Sequence, residues 1–199
     1  MALALITTAK AQLLSVYTNS SAFLSAITPG FYTETYSSFS VGGTNSPLNF
    51  TNNGFSYTAV SDGGFFIIPS LALSVGALPT QNITFTNLNA NISAIGGNFF
   101  PTGSGSTFTN TSISIIATLA DSSTFTTNYF PGSINSYLGL TFATNVTKLE
   151  ISNAPTTPTQ EFMTVDNFTV GVVPEPSTYA LLGMAAAGLA GYVLRRRRR

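Results

Sequence analysis

The sequence predicts an all-β protein: a single β-sandwich of jelly-roll type with a short N-terminal helix, followed by one C-terminal transmembrane helix. Runs of apolar, aromatic and β-branched residues recur at short intervals. They are separated by Gly, Pro, Asn, Asp and Ser, as in a domain of many short strands. Within several runs apolar residues alternate with hydroxyl or charged side chains, which buries one face of the strand. Near the C-terminus a charge-free apolar run ends in five arginines, the pattern of a membrane span and its stop. No internal repeat is evident, which argues against a solenoid or propeller.

Residues 1–11 read MALALITTAKA. Ala2 to Ile6 is apolar, and Ala9-Lys10-Ala11 fits an A-x-A cleavage site before Gln12. The run is short and lacks a basic start, so it is expected to be the back half of a signal peptide that begins upstream. The body then spans 12–172. Its one convincing helix is 20–27, with Ser20 or Ser21 as cap and Pro29-Gly30 as stop. Candidate strands follow at 31–39, 48–52, 55–60, 65–68, 71–75, 82–86, 92–100, 112–119, 124–130, 138–143, 146–152 and 162–170. Ile113, Ile115, Ala117 and Leu119 alternate with Ser114, Ile116 and Thr118, and Asp121-Ser122-Ser123 turns this strand into the next as a hairpin. Asn52-Asn53-Gly54 marks a second hairpin. Leu149 and Ile151 point inward, Lys148 and Glu150 outward. Gly103-Ser104-Gly105-Ser106 and 155–158 read as loops; the first has neither the helix nor the Lys of a phosphate cradle.

Composition narrows the chemistry. The body holds about 160 residues, enough for one domain with a sizeable core. The chain has no Cys and no His, and no Trp. That removes thiolate nucleophiles, disulfides, any Ser-His-Asp triad and the commonest general base. Between Gln12 and Val173 Lys148 is the one cation, against Glu34, Asp62, Asp121, Glu150, Glu161 and Asp166, so the body is acidic by five. The neutral total comes from the terminal arginines. An acidic surface rich in Ser, Thr and Asn does not suit nucleic acid. Asn-x-Ser/Thr sequons occur at Asn19, Asn49, Asn82, Asn91, Asn110, Asn145 and Asn167, a frequency that follows from composition.

The C-terminal segment, 173–199, has three parts in order. Pro174-Glu175-Pro176 must be extended and exposed, because two prolines fix φ and remove two donors. Residues 178–194 follow as an apolar helix of about 25 Å, at the short end for a span. Arg195, Arg196, Arg197, Arg198 and Arg199 then resist translocation and keep the C-terminus cytoplasmic, with the body outside. In this order the three parts resemble the PEP-CTERM sorting signal of bacterial exported proteins. The resemblance implies recognition and cleavage by an exosortase near Pro174-Glu175-Pro176, a Gram-negative-type envelope, and a link to extracellular matrix or biofilm. It implies nothing about the fold of the body.

One constellation in the body has the residue types of a metal site. In the last strand Met163 and Val165 share one phase, Phe168 and Val170 the other. The switch at Asp166-Asn167 predicts a β-bulge. The run TVDNFTVG resembles the closing strand of many bacterial exported sandwich domains. In some carbohydrate-binding sandwiches such a strand, with an acid on the first strand, holds a structural calcium. That resemblance makes Glu34, Asp166 and Asn167 candidate calcium ligands, a hard cation wanting oxygen donors; the alternative is that Asp166 satisfies backbone donors in the bulge. Phe65-Phe66 and Phe99-Phe100 are expected to place one ring in the core and the other over a loop.

The leading expectation is therefore an exported surface or matrix protein with a structural or adhesive body, not an enzyme and with no catalytic residue assigned. Its partners are the export machinery, an exosortase, the membrane before processing, and extracellular polysaccharide. A second reading is a carbohydrate-binding module stabilised by calcium. The third is a hydrolase using a carboxylate pair, for which Glu150 and Glu161 straddle a loop.

Overall fold

The computed structural model describes residues 12–76, 81–89, 91–154 and 161–174. The expected signal peptide, the 155–158 loop, Glu175, Pro176, the 178–194 span and Arg195–Arg199 lie outside them. Among the described residues no helix is long and apolar enough to cross a membrane.

In chain order the elements are β1 (Leu13–Tyr17), α1 (Ser20–Ala26), β2 (Tyr32–Glu34), β3 (Gly42–Thr44), β4 (Leu48–Asn52), β5 (Phe55–Val60), β6 (Phe65–Ile67), β7 (Leu73–Val75), β8 (Ile83–Thr86), β9 (Ala94–Thr102), β10 (Ile113–Leu119), β11 (Thr124–Tyr129), β12 (Leu138–Phe142), β13 (Val146–Asn153) and β14 (Phe162–Gly171). They form two sheets. The eight-stranded sheet runs β1-β12-β9-β14-β7-β6-β3, with β2 also paired to β14, and the six-stranded sheet runs β11-β10-β13-β8-β5-β4. The result is a β-sandwich.

Local chemistry explains most boundaries. Asn53 and Gly54 both take positive φ, at 51° and 82°, which is the turn that joins β4 to β5 with Asn52 opposite Phe55. At the β10–β11 hairpin the Asp121 carboxylate accepts from the Ser123 amide at 3.0 Å and from its hydroxyl. Those two bonds, the hydroxyl's first, hold the Asp121 carboxyl below its ordinary pKa. Helix α1 starts one residue earlier than the serine caps expected: Asn19 is the cap, extended at φ −137°, and its side chain accepts from the Ala22 amide at 3.1 Å. The helix ends at Ala26 because Ile27 is already extended.

The expected strand at 31–39 is cut to Tyr32–Glu34. Glu34 accepts from the Tyr36 amide at 2.7 Å, and Tyr36 takes φ 55°, so the chain turns away from the sheet. Two edge strands carry little sequence signal. β1 is half exposed and pairs only with β12, while β3, Gly42-Gly43-Thr44, is held by β6 alone. Pro101 sits inside β9, where a proline costs a ladder bond. It is tolerated because its nitrogen faces away from β14, on the side where β12 reaches only from Ala94 to Gly97 and where the Pro101 carbonyl still accepts from the Thr109 amide at 3.1 Å.

The core lies between the sheets. Phe168 of β14 stacks on Phe85 of β8 at 3.9 Å and 7°, and meets Tyr57 of β5 edge-on at 5.0 Å. Both offset stacking and edge contact are favourable ring geometries. A second, smaller cluster lies under α1 on the outer face of the large sheet, where Phe23 packs with Ile27, Ala94 and Tyr137. Phe23 reaches the sheet only because Gly139 is there: a Cβ at Gly139 would lie 2.4 Å from its ring.

Two substitutions measure these contacts by urea unfolding. Phe168→Ala should cost about 3–5 kcal/mol, the usual loss for a buried Phe. Gly139→Ala should cost about 1–3 kcal/mol by overpacking against Phe23. Gly43→Ala, with open space around its Cβ, should stay within about 0.5 kcal/mol of wild type.

Candidate functional site

The bulge in β14 is the place where the structure gathers polar groups. Asp166 faces Asn98 and Thr169 faces Gly96, so β14 spends one more residue than β9 over the same stretch. Asn167 absorbs it in the left-handed region at φ 50°, which Asn tolerates better than most residues. Its backbone amide donates to Asp166 Oδ1 at 2.7 Å. Its side-chain amide donates to Asp166 Oδ2 at 3.0 Å and to Asn98 Oδ1 at 2.9 Å. Asn98 passes the chain on to the Ser136 carbonyl at 3.1 Å. Thr169 donates to the Asn167 carbonyl at 3.0 Å and shares a hydroxyl contact of 2.8 Å with Thr33.

The three candidate calcium ligands sit on neighbouring strands. Glu34 lies opposite Phe168, two positions from Asp166. Their oxygens face protein donors, however. Glu34 accepts from the Tyr32 hydroxyl and the Tyr36 amide, and Asp166 is held at both oxygens by Asn167. Among the described residues no three acidic side chains converge as a metal cage. Burial pushes the Asp166 carboxyl above its ordinary pKa, and the Asn167 amide offsets part of that rise.

The other expected sites separate. Glu150 pairs with Lys148 at 3.0 Å and accepts from Asn82 at 3.1 Å. Glu161 is buried and accepts from the Thr111 hydroxyl. Phe65 is buried and Phe66 is exposed, whereas Phe99 and Phe100 are both buried, Phe99 in the main core and Phe100 with Ile68 and Ala72. The 103–106 segment is a loop, closed by the Gly103 amide donating to the Thr107 carbonyl at 2.8 Å.

Beside the bulge lies a cleft of about 370 Å³, a volume within the range of small-molecule sites. Its walls include Thr33, Asn98, Asn135, Tyr137, Asn167 and Thr169, with the start of α1 closing one side, and among the described residues no charged side chain lines it. Sequence reading singled out Asn167 alone. Asn98 comes from β9, and Asn135 and Tyr137 from the loop before β12, and in so asparagine-rich a chain nothing marks them in advance.

The body is tied down up to its C-terminal limit. The Thr28 amide donates to the Val172 carbonyl at 2.8 Å, and the Val173 amide donates to Ser93 Oγ at 2.9 Å. Pro174 is then exposed. Residues 172–199 match the PEP-CTERM protein-sorting motif. The chain carries a PEP-CTERM sorting signal. That signal marks an exported protein that transits the membrane and is processed by an exosortase-type system. No curated protein and no solved structure matches the chain, and the sandwich that precedes the PEP-CTERM segment is not assigned to a named family.

The bulge has a measurable signature. Because burial raises the Asp166 carboxyl above its unfolded value, the folded protein holds that proton more tightly than the unfolded chain. Stability is therefore lost as pH rises through the raised pKa. Asp166→Asn abolishes this titration. Urea unfolding of variant and wild type at pH 4 and pH 7 should show their stability difference moving in the variant's favour at the higher pH. A difference independent of pH would remove burial as the dominant influence on Asp166.

Proposed function

We propose that this is an exported bacterial protein whose sandwich is released from a C-terminal address and acts at the cell surface or in the extracellular matrix, structurally or as an adhesin and without catalysis. The observation that carries the reading is the PEP-CTERM match at 172–199, which begins where the last strand of the body ends. Arg195–Arg199 would hold the C-terminus in the cytoplasm before processing, by their resistance to translocation. The 178–194 helix would span the membrane until an exosortase cuts near Pro174-Glu175-Pro176. A body with one cation and many hydroxyls and amides suits a hydrated polysaccharide matrix. A second reading, carbohydrate binding by the sandwich itself, is favoured by the uncharged, amide-lined cleft beside Asn167.

The test is processing and localisation in the producing bacterium, followed with an antibody to the body. Wild type should appear at the surface or in the matrix fraction, shorter than the full chain. Glu175→Ala should accumulate at full length in the membrane fraction. Wild-type protein that stays uncut and soluble in the cytoplasm would overturn the reading.

A further inference from the structure

The cleft beside the Asn167 bulge has the chemistry of a site for one class of ligand. Its polar walls are amides and hydroxyls, each able both to donate and to accept. A sugar hydroxyl also donates and accepts, and the groups left for it are the Asn167 Oδ1 and the Asn135 amide, since Asn98, Thr33 and Thr169 are bonded within the walls. An anion would find no cation there: Lys148 is the one cation of the body and lies on β13, in the other sheet, paired with Glu150. A metal ion would find no carboxylate among the cleft's lining residues. Leu24 and the Tyr137 ring add the small apolar surface that the carbon face of a pyranose needs.

The walls are also held in place before any ligand arrives. Asn167 gives both side-chain hydrogens away, to Asn98 and Asp166, which fixes its amide plane and leaves Oδ1 as its uncommitted acceptor. Asn98 is fixed in turn by Ser136. Tyr137 is wedged between Phe23 at 5.8 Å and Gly96, where a Cβ would lie 2.3 Å from its hydroxyl. Asn135 is exposed at the rim of the cleft. Preorganised walls lose little entropy on binding.

We propose that this cleft binds an uncharged saccharide, with Asn167 Oδ1 and the Asn135 amide as its principal hydrogen-bonding groups. The inference rests on the second reading above and gives it a site and a ligand class; it is independent of how the chain is sorted, and its failure would leave the sorting reading intact.

The test uses the full chain in a detergent without sugar groups. Neutral oligosaccharides built from glucose, galactose, mannose or xylose are titrated by calorimetry against oligomers of a uronic acid as charged comparators. At least one neutral oligosaccharide should bind, and the uronic acid oligomers should not. Asn135→Ala, on the exposed rim, should weaken binding about 3- to 10-fold, the loss of one or two hydrogen bonds. Asn167→Gly keeps the left-handed backbone and should weaken it as much or more; circular dichroism on both variants checks that the sandwich is intact. No binding by any neutral oligosaccharide would overturn the proposal. So would preferred binding of the uronic acid oligomers, or wild-type affinity in both variants.

Discussion

The structure depends on one extra residue in β14. Side chains alternate faces along a strand, so Met163 and Val165 inward would put Asn167 inward and Phe168 outward. The bulge at Asp166-Asn167 cancels that, and Met163, Val165, Phe168 and Val170 all reach the main core. Phe168 is the largest beneficiary. Its ring stacks on Phe85 and meets Tyr57 edge-on, both from the small sheet. Had the register run on unbroken, the sandwich would have an amide in its centre and a phenyl ring against the outer threonines. The left-handed strain at Asn167 is held by the Asp166 and Asn98 side chains, so core packing and the polar cleft are two faces of one backbone irregularity.

The outer face of the large sheet is built from hydroxyls in place of charges. Thr164 is fully buried and shares hydroxyl contacts of 3.0 Å with both Thr102 of β9 and Ser74 of β7. Thr33 of β2 and Thr169 of β14 repeat the pattern at 2.8 Å. Cross-strand Thr and Ser pairs of this kind stabilise a sheet without the desolvation penalty of ions. This is how a chain with so few ionisable groups covers a sheet whose outer face is partly dry. The one ion pair described in the body, Lys148 with Glu150, lies on a partly exposed strand and contributes little.

What was legible in the sequence was what depends on local rules. The Asn53-Gly54 turn, the Asp121 turn and the alternation of β10 are written in consecutive residues, and the structure follows them. The bulge was also legible, because two phases of apolar residues met at Asp166-Asn167. Strands β1 and β3 were not: an edge strand that buries little needs no alternating pattern, and Gly42-Gly43 is formed into a strand by β6, not by its own preference. Helix α1 is legible in the sequence but its cap is not, because Asn19, Ser20 and Ser21 are all good cap residues. The cleft was illegible for a different reason. Asn98, Asn135 and Asn167 are scattered in a chain where asparagine is everywhere, and only the fold of β9, β14 and the loop before β12 brings them together. The sorting signal is the opposite case: it acts as a linear string, so sequence alone suffices.

The attachment of the last strand has a mechanical consequence. β14 lies in the interior of the large sheet, bonded to β9 along one side and to β7 and β2 along the other. Its ladder bonds run perpendicular to the strand, as in any antiparallel pair. Tension applied at Pro174 along the strand axis therefore loads those bonds in parallel, in shear, and does not peel them one at a time as it would at an edge. Under the membrane attachment proposed above, drag on the body would load this interior strand first. The weakly paired edge strands β1 and β3 lie away from that line of force.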